Sequence, residues 1–312
     1  MKKYGFGVDI GGTTCKIGLF ETTGVLVEKW EIPTRKENNG ENVLPDVADS
    51  IEKKLSEKNI GREEIQGVGI GVPGPVTSEG IVQCCVNLGW GVVNVAEEME
   101  KRTGFKIKVG NDANVAALGE MWQGGGKGHK NVVMVTLGTG VGGGIIVDGK
   151  IVAGSNGAGG EIGHIMVDEA ETEVCGCGKR GCLEQYASAT GVVRLAKRKL
   201  DSAKDETTLQ KLQHISAKSV FDEAKAGDKA ASEVVEQMAD ILGSALANIA
   251  CVVDPEVFVI GGGVSKAGSI VTDSVKKYFM EKTFHACKNT EFALAKLGND
   301  AGMYGCMQMI LE

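Results

Sequence analysis

Residues 4–32 read YGFGVDIGGTTCKIGLFETTGVLVEKWEI, and this stretch sets the frame for the fold. Residues 3–9 are predicted to form a strand that runs directly into DIGGTT. Two more strands are predicted at 15–20 and 25–32, joined by the turn TTG at 22–24. The stretch therefore predicts three consecutive strands, the first turn of which is rich in glycine and threonine.

The same architecture returns in the second half of the chain. Residues 132–152, VVMVTLGTGVGGGIIVDGKIV, again read as strand, Gly/Thr turn, strand, turn and strand. Apolar residues at helical spacing predict helices at 42–59 and near 229–252, and VFVIGG at 257–262 predicts a further strand. The order predicts two similar βββαβα lobes that face a cleft, in an α/β protein.

Three glycine-rich segments follow strands: GGTT at 11–14, GTGVGGG at 138–144, and the glycines at 261–263. Glycines let backbone N–H groups approach phosphate oxygens closely, and threonine hydroxyls add donors. The alternative is two ordinary hairpin turns and a loop. None of the segments matches the P-loop pattern, and none opens a helix as the dinucleotide pattern requires. The three together favour a nucleotide site.

Four residues at 164–182 are predicted to form one metal site. Three thiols and one imidazole are the ligand set of a closed, tetrahedral structural zinc site, here His164, Cys175, Cys177 and Cys182. A disulfide or a chance cluster is the alternative, and the absence of a secretory pattern at the start of the chain argues against the disulfide. A metal here would bring together Glu161 and Glu184, which flank the ligands.

Composition excludes several classes of function. The chain has 312 residues, 42% of them hydrophobic, and a net charge of −7, which disfavours a nucleic-acid surface. No apolar run is long enough to span a membrane, so we expect a cytoplasmic protein. Lysine-rich stretches at 194–204 and 274–288 are interpreted as solvated helix faces. The remaining cysteines lie in apolar stretches and are expected to pack as small hydrophobic residues: Cys15, Cys84, Cys85, Cys251, Cys287 and Cys306.

Asp112 follows a predicted strand and opens a predicted helix, in GNDAN at 110–114. A carboxylate at that place can accept a proton from a substrate hydroxyl, and a helix N-terminus keeps it ionised. The alternative is a plain helix N-cap, a position that aspartate occupies well. Asp9, beside the first glycine turn, can serve a magnesium ion through water.

Several of these motifs, taken together, resemble the ROK family of sugar kinases and repressors, and within it the bacterial glucokinases. The resemblance runs from about residue 4 to 302, and the cysteine loop is its most specific part. The motifs are DIGGTT (9–14), GVPGPV (71–76), GNDAN (110–114), LGTGVGGG (137–144), GEIGH (160–164), CGCGKRGCLE (175–184) and IGGGVS (260–265).

The resemblance implies an actin-like, ribonuclease-H-like ATPase fold. It has two lobes, each with a mixed β-sheet flanked by helices, and the active site lies in the cleft. We expect a small lobe of residues 1–115 plus 299–312, and a large lobe of 116–298 with the zinc loop and a dimer surface. A homodimer is expected, with a dimer of dimers as the alternative, and no nucleic-acid or membrane partner.

The implied activity is ATP-dependent phosphorylation of a hexose, with glucose giving glucose 6-phosphate, using Mg²⁺ for catalysis and Zn²⁺ for structure. Roles carry over by matching position. Asp112 is the implied base. The implied sugar-binding residues are Asn87, Asn111, Asp112, Glu161, His164 and Glu184. The implied nucleotide and magnesium positions are Asp9, Gly11, Gly12, Thr13, Thr139, Gly140, Gly261, Gly262 and Gly263.

Other activities of the same family stay open on the sequence. N-acylmannosamine and fructose are the alternative substrates, and a sugar-sensing regulator without catalysis is the alternative class. A repressor would carry a helix-turn-helix segment before the first strand, and the strand predicted near residue 4 leaves no room for one. The expectation is therefore a kinase.

Overall fold

The computed structural model describes residues 2–202 and 206–311 of the chain. Within these residues, the strands form two five-stranded sheets and one two-stranded sheet. The strands are β1 (Tyr4–Ile10), β2 (Thr14–Glu21), β3 (Leu26–Pro33), β4 (Ile65–Val72), β5 (Ile81–Val82), β6 (Val93–Asn94), β7 (Ile107–Asn111), β8 (Val132–Leu137), β9 (Val141–Val147), β10 (Lys150–Ile151), β11 (Val257–Gly261) and β12 (Glu291–Leu294). The helices are α1 (Glu37–Gly40), α2 (Val43–Lys58), α3 (Val95–Thr103), α4 (Asp112–Gln123), α5 (Glu184–Ala187), α6 (Ala189–Ser202), α7 (Ala217–Lys225), α8 (Lys229–Val253), α9 (Ser269–Lys282) and α10 (Ala301–Leu311).

The two large sheets share one topology. Their strand orders are β3-β2-β1-β4-β7 and β10-β9-β8-β11-β12. In the first sheet β1 pairs antiparallel with β2 and parallel with β4; in the second, β11 pairs parallel with both β8 and β12. The parallel neighbours require crossover connections, which the intervening helices supply. The α/β class and the repeat of architecture predicted from the sequence are confirmed.

The central strands β1 and β4 of the first sheet are largely buried on both faces. Phe6, Val8 and Ile70 are fully buried, and they belong to one core cluster with Val47 and Ile51 of α2. Strands covered on both sides read as nearly continuous apolar runs, as β1 and β4 do.

Helix α10 packs against this sheet and against α4 at close range. A Cβ added at Gly69 of β4 would lie 1.8 Å from the carbonyl oxygen of Cys306, and one added at Gly305 would lie 1.6 Å from that of Val115. Glycine is required at both positions because backbone approaches backbone there. Since α4 begins at Asp112, these contacts fix the helix that carries the predicted base.

The chain divides into two compact units. Unit 1 comprises Met1–Lys130, Gly144–Gly160 and Lys296–Glu312, and unit 2 comprises Asn131–Gly143 and Glu161–Ala295, so that the division runs through β9. The lobe boundaries inferred from the family resemblance, 1–115 plus 299–312 and 116–298, stay a prediction.

Two of the cysteines expected to be buried are not. Cys84 and Cys251 are exposed, whereas Cys15, Cys85, Cys287 and Cys306 are buried as expected. Cys84 follows β5 in a short loop, and Cys251 lies on the exposed side of the last turn of α8, next to the exposed Val252. An apolar neighbourhood in sequence did not imply burial at these two positions. None of the helices in the described residues is both long enough and apolar enough to cross a membrane.

Candidate active site

Asn111 and Asp112 lie where β7 ends and α4 begins, in unit 1. The Asn111 side chain is the N-cap of α4: its Oδ1 accepts from the N–H groups of Ala113 (3.0 Å) and Asn114 (3.2 Å), and its Nδ2 donates to the Gly74 carbonyl at 3.0 Å. Asp112 is the first residue of the helix, and its Oδ1 accepts from the Ala113 N–H at 2.8 Å. The N-cap alternative for Asp112 is therefore wrong, because Asn111 holds that position.

Asp9 lies near the carboxylate of Asp112. Burial raises the pKa of Asp9 to about 6; the positive charge of Lys16 opposes this rise, and the negative charge of Asp112 adds to it. Two carboxylates within electrostatic reach in a partly buried site form the setting in which a divalent cation is favoured. The structure thus brings together the predicted magnesium residue and the predicted base.

The first glycine turn follows Asp9 directly. The Gly11 N–H donates to the Thr14 carbonyl (3.0 Å), and the Thr34 N–H donates to the Thr13 carbonyl (2.9 Å), so the turn is held from both sides. Asn87 lies against this turn, since a Cβ added at Gly12 would lie 3.8 Å from the Cβ of Asn87. All the predicted site residues of unit 1 are therefore placed around the first turn and the start of α4.

The second turn and the third glycine segment pack together in unit 2. Gly138 and Gly140 close the turn around Thr139 with a backbone hydrogen bond of 3.0 Å. Gly262, whose φ is +84°, lies against the strand before that turn: a Cβ added there would lie 2.6 Å from the Leu137 carbonyl carbon. The two segments therefore form one backbone-lined surface, with Gly261, Gly262 and Gly263 beside the end of β8.

The four predicted metal ligands converge. The ligand atoms of His164, Cys175, Cys177 and Cys182 all lie within 4.8 Å of one another. Cys177 Sγ is 3.6 Å from Cys182 Sγ, and Cys175 Sγ is 3.9 Å from His164 Nδ1. A tetrahedron with metal–sulfur bonds near 2.3 Å has edges of roughly 3.8 Å, so the donors fit such a site. A separation of 3.6 Å between Cys177 Sγ and Cys182 Sγ is far longer than a disulfide bond of about 2.0 Å.

Glu184 lies beside the cysteine–histidine cluster. Its Oε1 is 2.9 Å from Cys175 Sγ and 3.8 Å from His164 Nδ1. Glu161 precedes a short 3-10 helix, and its carbonyl accepts from the His164 N–H at 3.2 Å. The side chain of Glu161 is exposed. The structure therefore places the Glu184 carboxylate beside the imidazole, whereas Glu161 is joined to His164 through its backbone carbonyl.

The sequence interpretation missed a buried ionic network that supports this loop. Glu171, whose side chain is 1% exposed, accepts from Arg194, from Arg198 Nη2 at 3.0 Å and from the Tyr186 hydroxyl at 2.6 Å. Hydrogen bonds from Arg198 and Tyr186 hold the pKa of Glu171 well below its usual range. The Tyr186 hydroxyl also lies 2.6 Å from Asp168 Oδ2.

This network corrects the interpretation of 194–204 as a solvated face at Arg194, while Lys197 is exposed as expected. The side chain of Arg194 is only 18% exposed and, like that of Arg198, it is bonded to a buried carboxylate. Residues 203 and 204 of that stretch lie outside the described residues. In the stretch 274–288, Lys277 of α9 forms an ion pair with Glu236 of α8. Spacing along one helix does not reveal a partner on another segment, so no signal in the sequence pointed to these pairs.

The chain is similar to known proteins along nearly its whole length. A family model described as ROK family matches residues 5–312. A relative from Halalkalibacterium halodurans named glucokinase is 44% identical over 304 residues, covering 96% of this chain and 92% of the relative. A Thermotoga maritima protein, also named glucokinase, is 38% identical, and the alignment covers 98% of this chain and 96% of that protein. A solved ROK family glucokinase from Streptomyces griseus, in complex with glucose and AMPPNP, aligns over 98% of both chains, with 33% identity and a TM-score of 0.71.

Proposed function

The chain belongs to the ROK family, and from that premise we propose that it catalyses ATP-dependent phosphorylation of a hexose, with glucose as the favoured substrate. The relatives named glucokinase, at 38% and 44% identity over nearly the whole chain, support this activity. The predicted actin-like ATPase fold, with mixed sheets flanked by helices, is confirmed by the similarity to solved ROK kinases. The enzyme is an ATP:hexose 6-phosphotransferase of the glucokinase type.

One observation carries the assignment of the base. The cap of α4 is Asn111, so the carboxylate of Asp112 is not needed to cap the helix. Asp112 stands at the positive end of the α4 dipole, which favours its ionised form. It takes the proton of the attacking hexose hydroxyl, while the rest of the reaction depends on positioning the phosphoryl group and neutralising its charge.

The nucleotide is held by backbone groups in this proposal. Gly11, Gly12 and Thr13, together with Thr139 and Gly140, would supply donors for the phosphates. The segment Gly261, Gly262 and Gly263 would lie beside the adenosine. Asp9 would hold Mg²⁺, which when bound spreads the negative charge of the phosphates.

The hexose is held by residues that combine donors and acceptors. The proposed contacts to its hydroxyls are Glu161, Glu184, His164, Asn111 and Asn87. Asn111 commits its oxygen to the cap and one N–H to Gly74, which leaves one N–H for a sugar hydroxyl. His164 offers Nδ1 to the cysteine cluster, so that Nε2 remains for the sugar.

A structural Zn²⁺ is proposed at His164, Cys175, Cys177 and Cys182. Support comes from the convergence of the four donor atoms within 4.8 Å and from edge lengths that suit tetrahedral coordination. Four protein ligands fill the shell, so this metal supplies shape rather than chemistry. It would fix the segment that carries both Glu161 and Glu184.

A homodimer in the cytoplasm completes the proposal, with a dimer of dimers as the further possibility. Exposed apolar side chains on the metal loop, Met166 (58%) and Val174 (61%), support a contact between subunits. The cysteines are free, which suits a reducing compartment. Light scattering after size exclusion would measure the mass directly, and a monomer at micromolar concentration would contradict the dimer.

A coupled ADP-release assay over a hexose panel tests the function. Glucose should give the highest kcat/KM, above N-acetylmannosamine and fructose, with ATP and Mg²⁺ present. A higher kcat/KM for either of the other two sugars would contradict glucose as the favoured substrate, but it would still support sugar-kinase activity. Sugar binding without ADP release from any hexose would contradict the enzyme and favour a sugar-sensing regulator.

A further inference from the structure

The short segment between α5 and α6 connects Glu184 to the second glycine turn. Ser188 is fully buried; its Oγ lies 2.6 Å from the carbonyl oxygen of Glu184 and accepts from the Gly191 N–H at 3.0 Å. The second of these bonds makes Ser188 the N-cap of α6. The carbonyl oxygen of Glu184, the proposed sugar-binding residue, is therefore in contact with the hydroxyl that caps α6.

Thr190 extends this connection to the turn itself. Its Oγ1 lies 2.9 Å from Ser188 Oγ and 2.6 Å from the carbonyl oxygen of Thr139. In addition, the Ala189 N–H donates to the Gly138 carbonyl at 2.8 Å. Thr190 is not the cap, so capping of α6 does not explain why its hydroxyl reaches across to Thr139.

The two hydroxyl groups cannot form a hydrogen bond in every oxygen–oxygen contact between Glu184 and Thr139 at the same time. Three short oxygen–oxygen contacts run from Glu184 through Ser188 and Thr190 to Thr139, yet the two hydroxyls carry only two protons. At any moment one of the three contacts lacks a hydrogen bond. If Thr139 takes a new position, Thr190 can donate to Ser188 instead, and the bonding of Ser188 to the Glu184 carbonyl is strengthened in turn.

The side chain of Glu184 touches the same turn. A Cβ added at Gly140 would lie 2.6 Å from Glu184 Oε2, so the carboxylate packs directly on the turn. Thr139, Gly140, Glu184 and Thr190 also line one cavity of about 390 Å³. The backbone of Glu184 is therefore linked to Thr139 through the two hydroxyls, and its carboxylate contacts Gly140.

We propose that Ser188 and Thr190 are positioning residues that couple nucleotide binding to hexose binding. Phosphate groups on the turn at Thr139 and Gly140 reset the hydroxyl pair, and the pair sets the orientation of Glu184 toward the sugar. The proposal rests on the proposed function, because it takes the turn as the phosphate site and Glu184 as a sugar ligand. Its consequence is that each ligand tightens the binding of the other.

The test is a coupling factor measured by titration calorimetry. It is the glucose Kd of the nucleotide-free protein divided by the Kd at saturating AMPPNP and Mg²⁺. We expect a factor of at least about 5 for the wild type. Thr190→Val keeps the shape but removes the hydroxyl, and should lower the factor at least about 3-fold, to between about 1 and about 2. Its Kd without nucleotide, its zinc content and its Tm should stay close to wild type.

Thr190→Ser is the matched control, because it restores the hydroxyl and should restore the coupling. Ser188→Ala should also lose the coupling, but with a lower Tm, since it removes a helix cap. A wild-type protein that phosphorylates glucose with a coupling factor near 1, or a Thr190→Val variant with the wild-type factor, would overturn the coupling and leave the proposed function intact. A wild type that releases ADP with none of the hexoses in the panel would overturn both.

Discussion

At the scale of single residues, the site is decided by which side chain takes which hydrogen bond. Asn111 and Asp112 are both good N-cap residues, and the sequence left the choice between them open. In the structure Asn111 is the N-cap, and its side-chain oxygen accepts hydrogen bonds from two backbone N–H groups. The members of the proposed site follow from the sequence and its resemblance to the family, whereas the partner of each side chain depends on the three-dimensional fold.

The pKa of Asp9 gives a pH-dependent prediction for stability. Burial raises this pKa to about 6, above the value of about 3.9 in an unfolded chain. The folded state therefore favours the neutral acid, and the ionised carboxylate destabilises it as the pH rises through about 6. Without nucleotide or Mg²⁺, Asp9→Asn should gain on the order of 2 kcal/mol relative to wild type between about pH 4 and pH 8.

Urea denaturation at the two pH values measures this gain. Asp49→Asn, on the exposed side of α2, is the control and should show the same change at both pH values. An Asp9→Asn variant whose relative stability is the same at both ends of this pH range would show that the carboxylate is not held at a raised pKa.

Glu184 should act on the sugar far more than on the nucleotide. Glu184→Gln keeps the size of the side chain but removes a charged acceptor, a loss of about 1.5–3 kcal/mol for a hydrogen bond to a charged group. The KM for glucose should rise about 10- to 100-fold, and the KM for ATP by a much smaller factor. Initial-rate kinetics with each substrate varied in turn separate the two, and equal increases would argue against Glu184 as a sugar ligand.

At the scale of elements, the sequence predicts those strands and helices that have a clear hydrophobic period or are bounded by turn residues. The strands β1–β3 and β8–β10, and the helices α2 and α8, follow alternation, turns or helical spacing. Helix α10 was missed because AGMYGCMQMIL is apolar on all sides and shows no amphipathic period. Its burial depends on α4 and on β1 and β4, which lie far away in the sequence.

The packing of α10 on α4 makes a stability prediction. Gly305→Ala would place a Cβ 1.6 Å from the Val115 carbonyl oxygen, so one helix must move. The free energy of unfolding should fall by about 3 kcal/mol or more, at the upper end of overpacking costs. Gly91→Ala is the control: Gly91 is exposed with no atom near an added Cβ, and its effect should stay within about 0.5 kcal/mol. Similar urea midpoints for the two variants would contradict this packing.

The cysteine loop makes a prediction about metal content. Wild-type protein should contain about one zinc per chain, and Cys177→Ser should lose it, because Cys177 is the exposed member of the ligand set and its loss leaves the core intact. The KM for glucose should rise together with the metal loss. Cys84→Ser replaces an exposed thiol outside the cluster and should keep both properties. Active wild-type protein without zinc in elemental analysis would end the zinc proposal.

At the scale of the whole molecule, the sequence predicted a repeat because strand–turn–strand patterns recur with similar glycine turns. The shared sheet topology confirms it. The long-range pairs could not be predicted in the same way. The bond from Arg198 to Glu171 joins residues 27 apart, and those from Lys296 and Leu297 to the buried Glu120 join residues 176 and 177 apart. No local pattern records such partners, because they exist only after the elements have packed.

We propose that phosphorylation of glucose by this chain depends on Asp112 as the base, and the kcat of Asp112→Asn tests that role. Because the cap is Asn111 and asparagine can still hydrogen-bond a hydroxyl, the variant should keep its Tm and bind glucose in calorimetry. Its kcat should fall by about 10²- to 10⁴-fold, the range expected for loss of a general base. A folded, glucose-binding Asp112→Asn protein that keeps more than about a tenth of the wild-type kcat would show that Asp112 is not the base.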